Sequence, residues 1–205
     1  MNGFCWMDLK THDPAGAAEF LSTVLNWHFA VDEDDWRRAT KIYENGRPVG
    51  GVSDLSQPVY PPGTPAHIAH YLAVDDVDRR TEAATAHGAR LVVPPFDAGG
   101  QGRIATLVDP FGAPVSLWQP GGSTGWEEPR RPVLDSPDPA GARRFYREVL
   151  GLGPDRAEFG TADVPGWRPV VLVDDLPAVT ARAAGRLRDG LLHSPQDLVL
   201  EVRAR

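Results

Sequence analysis

A stretch near the start of the chain is written a second time 125 positions later. His12-Asp13-Pro14-Ala15-Gly16-Ala17-Ala18-Glu19-Phe20, continuing to Val24-Leu25-Asn26-Trp27, returns as Pro137-Asp138-Pro139-Ala140-Gly141-Ala142-Arg143-Arg144-Phe145, continuing to Val149-Leu150-Gly151-Leu152. A repeat at a fixed offset marks a structural unit that has been duplicated and fused. Each copy carries a helix start. Asp13 and Asp138 can accept a hydrogen bond from the first turn, and Pro14 and Pro139 stand where a helix tolerates proline. Ala17, Phe20, Leu21, Val24 and Leu25 then keep the spacing of a buried stripe, as do Ala142, Phe145, Tyr146, Val149 and Leu150.

A looser echo joins Tyr71-Leu72-Ala73-Val74-Asp75-Asp76-Val77 to Val171-Leu172-Val173-Asp174-Asp175-Leu176. Both read as a short strand, two acids and a helix. Gly88 should stop the helix that opens at Val77, ahead of a strand over 90–93. Strand–helix openings are therefore expected near 4–25, 68–87, 131–150 and 169–185. Apolar strand-like runs at 39–43, 48–52, 104–108 and 114–118 follow the first two, with turns at Asn45-Gly46 and Phe111-Gly112. The expected class is α+β, built of βαβββ units, with the first copy complete and the second abbreviated.

The chain has 205 residues, which allows one large domain or two small ones. Expected boundaries are 1–120, a glycine-rich linker at 121–129 anchored by Trp126, and 130–205. The acids number 28 against 21 bases, for a net charge of −7, which argues against nucleic acid as a partner. The single cysteine, Cys5, can form no internal disulfide and fits a reducing cytoplasm; its strand position suggests a buried thiol. Met1-Asn2-Gly3-Phe4 does not read as a signal peptide, and no apolar run approaches the ~20 residues of a membrane span. No phosphate-binding loop or nucleophile elbow is present. Gly99-Gly100-Gln101-Gly102 lies between two strands and reads as a hairpin.

Two βαβββ units, the Asp-Pro helix start, Phe-x-x-x-Val-Leu-x-Trp, the Val-Asp-Asp-Val opening and the turn Asp109-Pro110-Phe111-Gly112 together resemble the vicinal oxygen chelate superfamily. That group includes glyoxalase I, extradiol dioxygenases and bleomycin-resistance proteins. The match covers 4–120 well and 131–205 weakly. The resemblance implies a curved sheet around a cleft, helices on its convex side, and in metal-dependent members His, Gln or Glu ligands on the first, fifth and eighth strands. Counted from Asp13, Asp75 and Asp109, those three positions hold Trp6, Ala69 and Ser116. In the second copy they hold Arg131, Arg168 and, after Ser194-Pro195, Glu201. A metal site of the family type is therefore not expected, and no other cofactor is implied.

Strand alternation gives the residues that would face the cleft. Phe4, Trp6, Asp8 and Lys10 share one side of the first strand, and Cys5, Met7 and Leu9 the other. His67, Ala69, Tyr71 and Ala73 face the cleft from the fifth strand, with Ile68, His70, Leu72 and Val74 behind; Ser116 and Trp118 face it from the last. The expected site is Trp6, Asp8, His67, Tyr71, Ser116 and Trp118, with Arg103 either joining it or solvated. Aromatic surfaces with a few polar points suit a small organic ligand, aromatic or polycyclic. Alternatively the tryptophans plug the cleft against the second copy. Sequestration of the ligand is the leading function. An enzyme using Asp8 and His67 as acid–base groups, or a metal site not apparent in the sequence, is the alternative. A monomer or a homodimer fits either reading.

Overall fold

The computed structural model describes residues 2–33, 38–122, 125–126, 128 and 130–205. Parts of the expected linker (123, 124, 127, 129) and of the loop 31–38 lie outside them. The first copy runs β1 (Phe4–Thr11), α1 (Pro14–Leu25), β2 (His28–Val31), β3 (Thr40–Glu44), β4 (Arg47–Asp54), then β5 (His67–Ala73), α2 (Val77–Ala86), β6 (Arg90–Asp97), β7 (Gly102–Val108) and β8 (Pro114–Pro120). The second runs β9 (Val133–Ser136), α3 (Pro139–Arg144), β10 (Glu158–Thr161), β11 (Gly166–Arg168), then β12 (Val170–Val173), α4 (Leu176–Arg182), β13 (Leu187–Arg188), β14 (Leu191–His193) and β15 (Val199–Ala204). All four strand–helix openings form. The architecture is α+β, with βαβββ units complete in the first copy and shortened in the second.

Local chemistry explains the helix starts. Asp13 Oδ1 accepts the Gly16 N–H at 2.9 Å, and Asp138 Oδ1 the Gly141 N–H at 2.9 Å. In each pair of adjacent acids the second caps and the first binds arginine. Asp76 and Asp175 accept the Arg79 and Ala178 N–H groups, both at 2.9 Å. Asp75 holds Arg79 and Arg80, while Asp174 meets Arg205. The Arg80 hydrogen bond, foremost, keeps the Asp75 carboxyl below its ordinary range. Where one continuous helix is expected after Asp138, α3 gives way to a π-helical turn over Phe145–Val149.

The Asp-Pro turn is also duplicated in its bonding. Asp109 Oδ1 accepts from the Phe111 and Ala113 N–H groups, both at 2.9 Å. Ser194 Oγ accepts from Gln196 at 3.2 Å and Leu198 at 3.1 Å, the same two offsets. A hydroxyl thus replaces a carboxylate in the same turn, and it marks Ser194-Pro195 as the counterpart of Asp109-Pro110.

Compactness groups the residues into two units that each draw on both copies: 1–6 with 69–168, and 7–68 with 169–205. In the first, the strands run β5-β8-β7-β6, β9 pairs β10 and β11, and α2 and α3 pack in. Its core holds Leu72, Leu107, Leu117, Leu134, Tyr146 and Leu150, all fully buried, with Phe4 and Trp167 at 4.4 Å. Phe4 is therefore core, not a cleft residue. Trp126 packs partly against this core and donates its backbone N–H to Cys5 O at 2.7 Å. At the edge of the sheet, β6 exposes Leu91, Val92, Val93 and Phe96 around Pro94-Pro95.

In the second unit the strands run β2-β3-β4-β1, with β1 parallel to β4, and a further sheet runs β12-β15-β14-β13. Met7, Leu9, Leu21, Val24, Ile42, Val179, Leu192 and Leu200 are buried there. The Arg182 guanidinium donates to Val24 O, tying α4 to the end of α1. Asn45 and Gly46, both at positive φ, make the tight turn between β3 and β4. His28 begins β2.

Candidate functional site

In the first unit, strand register builds one face residue by residue. Tyr71 is opposite Ser116, and Ser116 opposite Thr106; Ala73 is opposite Trp118, and Trp118 opposite Ile104. Val93 and Phe96 on β6 continue these two rows beside Thr106 and Ile104. Registered neighbours share a face. The alternate residues Leu72, Leu117, Ala105 and Leu107 are fully buried on the helix side. The face is therefore apolar and aromatic around a hydroxyl pair, Thr106 Oγ1 and Ser116 Oγ, 2.9 Å apart. One hydroxyl proton is used between them and the other remains to donate. Val93 and Phe96 are exposed at 37% and 46%, so the rim of this face is open apolar surface.

Four of the expected site residues, Trp6, Tyr71, Ser116 and Trp118, belong to this unit, and Trp6, Tyr71 and Trp118 are half-buried. Arg103 belongs to it as well but shares the side of Ala105 and Leu107. Its guanidinium grips Asp78 of α2 at 2.6 and 2.9 Å and Asp97 at 2.9 Å. The Arg103 hydrogen bond holds the Asp78 carboxyl below its ordinary range, with desolvation opposing. Arg103 is thus a strut between helix and sheet. An open groove of about 260 Å³ on the same helix side, lined by Asp78, Thr81, Glu82, Thr85, Leu91 and Pro95, holds none of the expected site residues.

Asp8 and His67 belong to the second unit and are not joined. His67 Nδ1 lies 2.8 Å from Pro65 O. The mostly buried Asp8 carboxylate instead gathers partners that the sequence did not single out. Its Oδ2 accepts from Ser53 Oγ at 2.5 Å and from Lys10 Nζ at 3.0 Å. Lys10 Nζ also donates to Tyr60 Oη at 3.2 Å and stands 4.9 Å from the centre of that ring. Register sets the cluster: Asp8 is opposite Gly51, Lys10 opposite Ser53, and Lys41 opposite Gly51. The two lysines of the chain therefore stand on one face of one sheet. Strand parity was a signal for Lys10; Tyr60, in a proline-rich loop, carried none.

Cys5 is buried, donates to Tyr71 O at 3.4 Å, and has its thiol pushed up to about 12 by burial. Burial thus disfavours the thiolate form that a nucleophilic cysteine needs. His70, 1% exposed, sits by the rings of Phe4 and Trp167 in the core.

The donor set does not fit the metal that dioxygenase and glyoxalase I members carry. Of Trp6, Ala69 and Ser116, only serine has a side-chain oxygen, and it is engaged with Thr106. In the second copy Arg168 pairs with Asp135, and Glu201 accepts from Arg203 at 2.6 Å. Among the described residues no three His, Cys, Asp or Glu side chains converge. No described helix is long and apolar enough to cross a membrane.

Comparison with known proteins agrees with this architecture. Residues 4–117 match the Glyoxalase/Bleomycin resistance protein/Dioxygenase superfamily. The "Putative glyoxylase CFP32" of Mycobacterium bovis is 30% identical over 87% of this chain and 80% of its own. "Anthracycline biosynthesis protein DauV" of Streptomyces sp. strain C5 is 30% identical over 88% of this chain and 70% of its own. Among solved structures, the Mn(II)-bound glyoxalase of Novosphingobium aromaticivorans superposes with a TM-score of 0.66 at 17% identity, covering 98% of this chain and 81% of that one. The 2,3-dioxygenase LapB of Pseudomonas sp. KL28 gives 0.65 at 13% identity, covering 99% and 92%. These two show a shared fold. On the family match and the 30% relatives together, the chain belongs to the Glyoxalase/Bleomycin resistance protein/Dioxygenase superfamily.

Proposed function

We propose that this protein binds a planar aromatic or polycyclic small molecule on the Tyr71–Ser116–Trp118 face, without the three-ligand metal of its metal-dependent relatives. The observation that carries the reading is what stands at the ligand positions: an indole, a methyl group and a hydroxyl in place of three donors. Those groups remove coordination and supply stacking surface. Trp118, Tyr71, Ile104 and Phe96 offer flat apolar area, and the Ser116–Thr106 hydroxyls offer a directed donor to a ligand oxygen. Relatives named for anthracycline biosynthesis, at 30% and 29% identity, support a polycyclic aromatic as the ligand class.

The test is equilibrium dialysis with 1,4-dihydroxyanthraquinone as probe, comparing wild type, Trp118→Ala and Ser116→Ala. Loss of a central aromatic contact should weaken binding about tenfold or more. Equal affinity in all three proteins, or no binding by wild type, would remove the reading.

A further inference from the structure

We propose that Asp8 and Tyr60 form a metal-independent acid–base pair acting on an enolisable ketone. This goes beyond ligand binding and rests on residues of the second unit alone.

Asp8 is 9% exposed, yet among the described residues hydrogen bonds reach only one of its carboxylate oxygens. Ser53 and Lys10 both donate to Oδ2, and Oδ1 is left as an acceptor. Tyr60 Oη likewise accepts from Lys10 at 3.2 Å, and no described residue accepts its own proton. Lys10 therefore stands between an open acceptor and an open donor and orients both. A carboxylate and a phenol bridged by an ammonium are the base, the acid and the charge that a proton-transfer reaction uses.

The step balances without a co-reactant. Asp8 Oδ1 takes a proton from the carbon next to a carbonyl, and the C–H electron pair moves into a new C=C bond. The carbonyl π pair moves to oxygen, which takes the proton of Tyr60. The resulting tyrosinate faces the Lys10 ammonium. Return of the protons, to the same carbon or to the far end of a conjugated system, restores the protein and gives exchange or isomerisation. Asp8 and Tyr60 touch the substrate; Lys10 and Ser53 are positioning residues.

The probe is 2-tetralone, whose α-protons exchange into deuterium oxide and are followed by NMR with the full chain. Wild type should exchange them faster than buffer, and Asp8→Asn and Tyr60→Phe should each lower the rate about 100-fold. Ser53→Ala should lower kcat with KM unchanged, and Ser53→Thr should restore it, a split that a purely structural serine would not produce. Far-ultraviolet dichroism establishes that each variant is folded; should Asp8→Asn fail to fold, the Tyr60 and Ser53 variants decide. Wild-type exchange no faster than buffer, or rates unmoved by these substitutions, overturns the assignment. Failure of the binding reading would appear separately, as loss of Trp118-dependent affinity for the anthraquinone.

Discussion

Tyr146 Oη donates to Asp109 Oδ2 at 3.0 Å and accepts the Trp167 indole N–H at 2.9 Å. The three groups form a buried chain within the first unit. It links the Asp-Pro turn of the first sequence copy to the helix and a strand of the second. Burial pushes the Asp109 carboxyl above its ordinary range, and burial followed by the Asp109 charge pushes the Tyr146 phenol well up. Polar groups this deep are tolerated because each answers another.

Tyr146→Phe should destabilise the protein by about 1–3 kcal/mol, because it leaves Asp109 Oδ2 and Trp167 Nε1 buried without a partner. Urea unfolding measures it, with the midpoint falling and the slope unchanged. A midpoint equal to that of wild type would mean that water replaces the hydroxyl.

The raised Asp109 carboxyl fixes the sign of a pH dependence. In the window above its ordinary value of 3.8 the folded state binds more protons than the unfolded state. Its contribution to stability is thus fully present below that value and is lost as pH rises through the folded one. Asp109→Asn should flatten stability across this window. Parallel wild-type and variant profiles there would contradict the assignment.

Arg103→Ala should loosen the junction of α2 with β6 and β7, seen as faster amide exchange at the start of α2, and leave anthraquinone affinity unchanged. Weakened binding would move Arg103 back to the ligand face.

Pro94 and Pro95 lack the N–H groups that an added strand would need, so they guard an edge that exposes Leu91, Val92, Val93 and Phe96. Replacing both with valine should increase concentration-dependent association by light scattering. An unchanged molecular mass at all concentrations would show that the bulged edge protects itself.

Much of the fold was legible because its signals are local. Asp13 and Asp138 declare their helices, Asp76 and Asp175 repeat the device, and strand alternation placed His70 in and Tyr71 out. Ser194-Pro195 stands where the Asp-Pro turn is expected, although the accepting oxygen is a hydroxyl in place of a carboxylate. What stayed hidden depends on which strands lie side by side. Thr106 beside Ser116, Ser53 beside Lys10 and Tyr60 over Lys10 are tertiary neighbours that periodicity does not reveal. Arg103 was ambiguous because it follows Gly102 at the very start of β7, before the alternation is established. His67 has the residue type for acid–base work, but its ring is turned to Pro65 O.

Ligand binding independent of the family metal is open to one decisive measurement: 1,4-dihydroxyanthraquinone affinity before and after exhaustive chelation, and again after adding back Mn(II). One dissociation constant is expected in all three conditions, because Trp6, Ala69 and Ser116 do not supply a metal's three donors. Affinity lost on chelation and restored by Mn(II) would contradict it.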